Sequence, residues 1–150
     1  MSIFVIDASI AVKWVVEEDG TVEALALRRM KLIAPDLLAT ECANILWKKV
    51  QRAELSKDES LLAARLLQAA GIEFVPTHAL LEAATRLAIE LDYPAYDCLY
   101  IALAVARDCR FITADHGLLR KLGDRSKDGI RDRVIALLAA AGGTPIPSKR

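Results

Sequence analysis

Ser2–Val12, SIFVIDASIAV, is the stretch on which the fold turns. Ile3, Phe4, Val5 and Ile6 form an apolar run without period-two alternation. Rich in β-branched and aromatic residues, such a run reads as a strand buried on both faces of a parallel sheet. It stops at Asp7. Ser9 follows, and helical spacing begins there, with Ile10, Val12, Trp14 and Val15 apolar. A carboxylate therefore stands at the carboxyl end of a central strand, where the next helix begins. Open α/β sheets bind ligands at that edge.

Working outward, strands and helices alternate. Glu17–Gly20 reads as a polar turn and Thr21–Lys31 as a helix with Val22, Leu25, Ala26 and Met30 on one face. Leu32–Ala34 is a second strand, ended by Pro35. Pro35-Asp36 is a helix start, and the pattern from Leu37 to Arg52 is helical, with Leu38, Cys42, Ile45, Leu46 and Val50 toward a core. Ser56 and Glu59 have the spacing of a capping box. The helix they open runs to about Ala70, where Gly71 ends it. Ile72–Val75 is a third strand. A helix from Thr77 or His78 to about Leu91 follows, then Ala95–Arg107, a fourth strand Arg110–Thr113, and a short helix Asp115–Gly123. Arg133–Leu137 fits either a fifth strand or the start of an Ala-rich helix, because periodicity does not separate the two. Alternating strands and helices imply an α/β fold, a three-layer α/β/α domain whose central parallel sheet has four to five strands.

The 150 residues suffice for one compact domain, expected to span 1–150 with a loose tail from about 142, where Gly142-Gly143 and two prolines stand. Hydrophobic residues at 54% and charged residues at 27% exclude a disordered chain. Lys plus Arg equals Asp plus Glu, 20 each. No overall field attracts nucleic acid, so any such contact must come from local basic clusters. Cys42, Cys98 and Cys109 are odd in number and contain no CxxC; they read as reduced thiols and point to the cytoplasm. His78 and His116 are isolated, which argues against a Cys/His zinc site. A signal peptide is not expected, since Asp7 interrupts the first apolar run, and no segment approaches the ~20 apolar residues that span a bilayer.

Four carboxylates stand out by position. Asp7 ends the first strand, Glu41 lies within the third helix, Asp97 opens the apolar helix YDCLYIALAVA, and Asp115 follows the fourth strand in FITAD. Asp97 is expected to be largely buried, and a buried carboxylate without a partner is costly. Each acid has an ordinary structural reading too: Asp7, Asp97 and Asp115 as helix caps, Glu41 as a solvated side chain. Their coincidence favours another. Converging carboxylates repel, and hard cations such as Mg²⁺ or Mn²⁺ take all-oxygen ligands of this kind.

VIDASIAVKW, IAPDLLATECANILWKKV, YDCLYIALA and FITAD together resemble the successive motifs of PIN-domain nucleases, and most closely the VapC-type toxins of toxin–antitoxin pairs. The resemblance covers Ile3 to about Leu122. It implies that Asp7, Glu41, Asp97 and Asp115 occupy the four acidic metal-site positions. It further implies that Ser9 and Thr113 are small hydroxyl positions beside the metal, and that Asn44 is the polar position that shares a helix face with Glu41. It also favours the strand reading of Arg133–Leu137. The activity implied is that of an endoribonuclease using Mg²⁺ or Mn²⁺ on single-stranded RNA or an RNA loop. A cognate antitoxin and a homodimer are the implied partners. Whether one metal or two is bound stays open.

Lys48, Lys49 and Arg52 beside Glu41, and Arg120, Lys121, Arg125, Lys127, Arg131 and Arg133, supply local basic surplus for phosphates, or else ordinary solvated faces. Trp14 and Trp47 read as core or interface residues. A haloacid-dehalogenase type would need a second Asp at position 9, where Ser9 stands. A dinucleotide fold would need a Gly-rich turn, which DASIA lacks. A response regulator would need an acidic pair near the first strand and a late Lys. The non-enzyme alternative is a catalytically inactive PIN-like scaffold that binds RNA or a protein partner.

Overall fold

The computed structural model describes residues 2–125 and 130–142. Five parallel strands form one sheet in the order β3-β2-β1-β4-β5. They are β1 (Ile3–Ile6), β2 (Lys31–Pro35), β3 (Glu73–Val75), β4 (Arg110–Thr113) and β5 (Val134–Ala136). The apolar run that opens the chain is thus the central strand. Val5 and Ile6 are fully buried there, with β2 on one side and β4 on the other.

The first connection is α1 (Ala8–Ala11), a 3-10 turn at Val12–Trp14, and α2 (Thr21–Ala26). The second is α3 (Leu37–Gln51) and α4 (Lys57–Gln68). Both carry the chain toward the β3 edge, so right-handed crossovers put them on one face, where α1 meets α3 and α3 meets α4. The third connection, α5 (Leu81–Leu91) and α6 (Ala95–Ala106), returns across the sheet on the other face. There α6 lies against β1, β2 and β4, and every residue from Cys98 to Ala104 is buried. Tyr100 stacks on Phe111 of β4 with ring centroids 5.4 Å apart. Both rings are nearly inaccessible, so truncating either would cost about 3–5 kcal/mol. Beyond β4 come α7 (His116–Arg125), α8 (Ile130–Arg133), β5 and α9 (Leu137–Gly142), which packs on α2.

Local signals account for most boundaries. The Ser56–Glu59 capping box forms in full, with both reciprocal bonds present. Gly71 takes φ +76° just past α4, a conformation that a Cβ disfavours. Among the described residues no helix is long and apolar enough to cross a membrane.

One expectation is corrected and two are sharpened. The helix expected over Thr21–Lys31 ends at Ala26, continues as a 3-10 turn at Leu27–Arg29, and gives Lys31 to β2. Its buried side chains are Ala24 and Leu27, while Val22 and Leu25 face solvent. With so short a helix the docking face is chosen by the contact with α9, not by its apolar count. The stretch Arg133–Leu137 is both things it resembled: Val134–Ala136 pairs with β4, and the Ala-rich helix starts at Leu137. Trp14 belongs to the core side, its indole N–H donating to the Ala24 carbonyl at 2.7 Å, whereas Trp47 is 53% exposed. Of the tail expected to be loose, 143–150 lies outside the described residues.

Candidate active site at the carboxyl edge of the sheet

Register builds the centre of the site. Ile6 of β1 pairs with Ile112 of β4, so Asp7 and Thr113 come next on adjacent strands at the carboxyl edge. The Thr113 hydroxyl donates to Asp7 Oδ2, and the Ser9 hydroxyl donates to Asp7 Oδ1. Both hydroxyl oxygens also accept backbone amides: Ala114 N–H reaches Ser9 Oγ at 3.1 Å and Asp115 N–H reaches Thr113 Oγ1 at 3.0 Å. Each hydroxyl is thereby oriented with its hydrogen toward the carboxylate. Asp7 stands at the cap position of α1 in an extended conformation, yet its side chain caps nothing. Only its backbone carbonyl does that work, accepting from Ile10 and Ala11. The cap reading of Asp7 is therefore replaced by a carboxylate that two hydroxyls hold.

Asp97 comes to the same edge because α6 runs back toward the start of β4. The cap residue of α6 is Pro94, and Asp97 sits in the first turn, where a negative charge is favoured. It is half-buried rather than largely buried, and the Tyr93 side chain lies close enough to bear on its charge. Glu41, half-buried on α3, receives the hydroxyl of Tyr100 from α6. Asp115 is exposed and does cap its helix, its Oδ1 accepting Leu118 N–H at 3.1 Å. Gly117 leaves it room, since a Cβ there would lie 3.1 Å from that same oxygen.

The carboxylates feel one another. Burial pushes Asp7 up to about 6, with the Asp97 and Glu41 charges adding to it against the two hydroxyl bonds. Burial likewise pushes Asp97 up to about 6, with Asp115 and Glu41 adding and Tyr93 opposing. Glu41 is raised by burial and lowered by Tyr100. The Tyr100 hydroxyl itself is driven far above its ordinary range by burial and by the Glu41 charge.

The donors are all oxygen, which suits a hard cation. Among the described residues no group of three or more His, Cys, Asp or Glu side chains is drawn close enough to hold an ion alone. Mg²⁺ commonly takes one or two carboxylates and keeps several waters, so a site of this donor chemistry does not need three side chains on the ion.

Asn44 is exposed and makes no hydrogen bond to Glu41 among the described residues. The basic stretch is partly spent: Arg133 pairs with Asp108 at 3.0 Å, and Lys121 lies over the Tyr93 ring, 5.2 Å from its centroid. Lys127 lies outside the described residues. On α3, Lys49 bridges Glu18 and Glu54 while Lys48 stays exposed. Tyr93 and Tyr100 are the site residues that sequence reasoning missed. The signal for Tyr100 is its place three residues after Asp97, one helical turn along.

A family model described as PIN domain matches residues 4–125. Among solved structures, the chain is similar to one titled "Crystal structure of PAE2754 from Pyrobaculum aerophilum". The TM-score is 0.71 and the sequence identity 17%, over 95% of this chain and 88% of that one. At that identity the likeness shows the fold alone. No curated protein matches the chain.

Proposed function

The chain belongs to the PIN domain family, generally a nuclease fold, and on that premise we propose that it is a metal-dependent endoribonuclease, the toxin of a toxin–antitoxin pair. The observation that carries the reading is Asp7. It is 7% exposed at the end of the central strand, with both oxygens held by hydroxyls and two further carboxylates bearing on its charge. Such a group is unfavourable as a bare anion and favourable beside a cation.

In this reading Asp7, Asp97, Asp115 and Glu41 hold Mg²⁺ or Mn²⁺, directly or through water. A bound divalent ion supplies a water of lowered pKa and polarises a phosphoryl oxygen. Ser9 and Thr113 keep the Asp7 carboxylate aimed. Tyr100 occupies Glu41 Oε1 and leaves Oε2 to orient the attacking water or take its proton. Burial raises the pKa of Glu41, which makes its carboxylate a stronger proton acceptor. Asn44 adds a polar group on the same helix for the substrate side. The substrate is single-stranded RNA or an RNA loop. The exposed Trp47, Leu61, Leu62, Leu66 and Phe74 support partners, a cognate antitoxin and a second copy of the chain.

The test is incubation of pure protein with total cellular RNA, with Mg²⁺ or Mn²⁺ and with chelator, followed by end mapping. Defined ends that require the metal are expected. Intact RNA under all conditions, with no Mn²⁺ bound by the protein, would instead mark a catalytically inactive scaffold.

A further inference from the structure

A second concavity opens beside the carboxylates at the same edge of the sheet, with a volume of about 300 Å³, at the small end of ligand pockets. It shares a wall with the site. Thr113, whose hydroxyl holds Asp7, lines it together with Ala136, its register partner on β5. Gly20, at φ +90°, lines it as well. A Cβ at Gly20 would lie 3.0 Å from Leu137 Cδ2 and 3.3 Å from Lys13 Cδ and Cε. The missing side chain thus lets the Lys13 stem and Leu137 pack against bare backbone. The walls are apolar, and the polar groups are few. Lys13 Nζ is 3.2 Å from Glu18 Oε1 and has further N–H groups to offer. Asp19 and His116 are exposed at the rim.

This lining does not suit a phosphate, because the Lys13 charge is matched by Glu18 and Asp19 is anionic, although Lys13 N–H groups remain to donate. It suits a flat group with apolar faces and a polar edge. We propose that the pocket takes the base of a nucleotide adjoining the cleaved phosphodiester, with the His116 ring stacking on it. Lys13 and Asp19 then offer the base edge a donor and an acceptor. The inference rests on the nuclease reading for the position of the cut. It assigns to these residues the sequence preference of cleavage.

The experiment scans a single abasic nucleotide through a short RNA that the protein cleaves, or binds if it does not cleave. The proteins are wild type, His116→Ala and the pocket-filling Ala136→Leu, with melting temperatures measured for each. Cleavage is read by end mapping, and binding by anisotropy with Asp97→Asn. One position is expected to be sensitive, losing about tenfold or more when its base is removed. His116→Ala, which alters only an exposed side chain, is expected to reduce that sensitivity, and Ala136→Leu to abolish it. If cleavage is absent but binding shows the same single-position sensitivity and the same response to the variants, the pocket stands and the nuclease reading falls. If cleavage is normal but no position stands out, or the sensitivity is unchanged in His116→Ala and in a folded Ala136→Leu, the pocket is overturned and the nuclease reading stands. Failure to bind RNA at all overturns both.

Discussion

Asp7→Asn should stabilise the metal-free protein at neutral pH, an unusual direction for a substitution in a buried site. The Asp7 carboxyl has an ordinary value of 3.8 and is pushed up to about 6 in the fold. Folding therefore binds a proton between those values. Stability from this group is fully present below about 3.8, falls as pH rises, and is lost once pH passes about 6. At ~1.4 kcal/mol per pH unit the loss is about 3 kcal/mol, already net of the Ser9 and Thr113 bonds. Asn copies the protonated shape and carries no charge. It should return about 1–3 kcal/mol at pH near 7.5, or about 3–10 °C in Tm for a chain of this size. Near pH 4 the two proteins should converge. Added Mn²⁺ should reverse the order, because an ion that binds only the folded state stabilises it by mass action and wild type would bind it more tightly. The assay is melting of both proteins in chelator and in Mn²⁺ at the two pH values. A lower or equal Tm for Asp7→Asn in chelator at neutral pH, or equal shifts on adding Mn²⁺, would refute the reasoning.

Other outcomes follow from the same contacts. Tyr100→Phe keeps the stack on Phe111 but removes the hydroxyl from Glu41. It should cost about 1–3 kcal/mol by melting. The bond it removes lowers the Glu41 pKa, so the acid limb of the pH–rate profile should move to higher pH. Ser56→Ala removes one half of a formed capping box and should cost about 1 kcal/mol without changing metal binding. Sedimentation should show a homodimer, and Trp47→Glu, at a 53% exposed position on α3, should weaken it. A monomer at high concentration would contradict the partner reading.

The central strand was legible because four consecutive apolar residues leave no polar face, and Asp7 marks its end sharply. α6 was legible for the same reason, its run from Cys98 to Ala104 being buried throughout. The helix at Thr21 was not, because Val22 and Leu25 look like an inward face and nothing local reveals that α9 covers the other side. Within the site, the acids were visible as charges at strand ends and on apolar helices. Their partners were not. A tyrosine in the run CLYIALAVA reads as core, which Tyr100 also is, and its bond to Glu41 spans 59 residues of sequence. Asp115 shows the opposite limit. Cap and cluster member are competing readings of the sequence, yet in the fold Asp115 caps α7 and also raises the pKa of Asp97.

The most direct measurement compares initial cleavage rates of one defined RNA by wild type and Asp97→Asn across a Mn²⁺ titration, with circular dichroism of both proteins. Asp97 lies in the first turn of α6 with its carboxylate half-buried among the other acids, so the amide keeps the shape and removes the charge. The account predicts metal-dependent cleavage by wild type, and a folded Asp97→Asn protein slower by about a hundredfold or more at every Mn²⁺ concentration. Cleavage by Asp97→Asn at near the wild-type rate would contradict it.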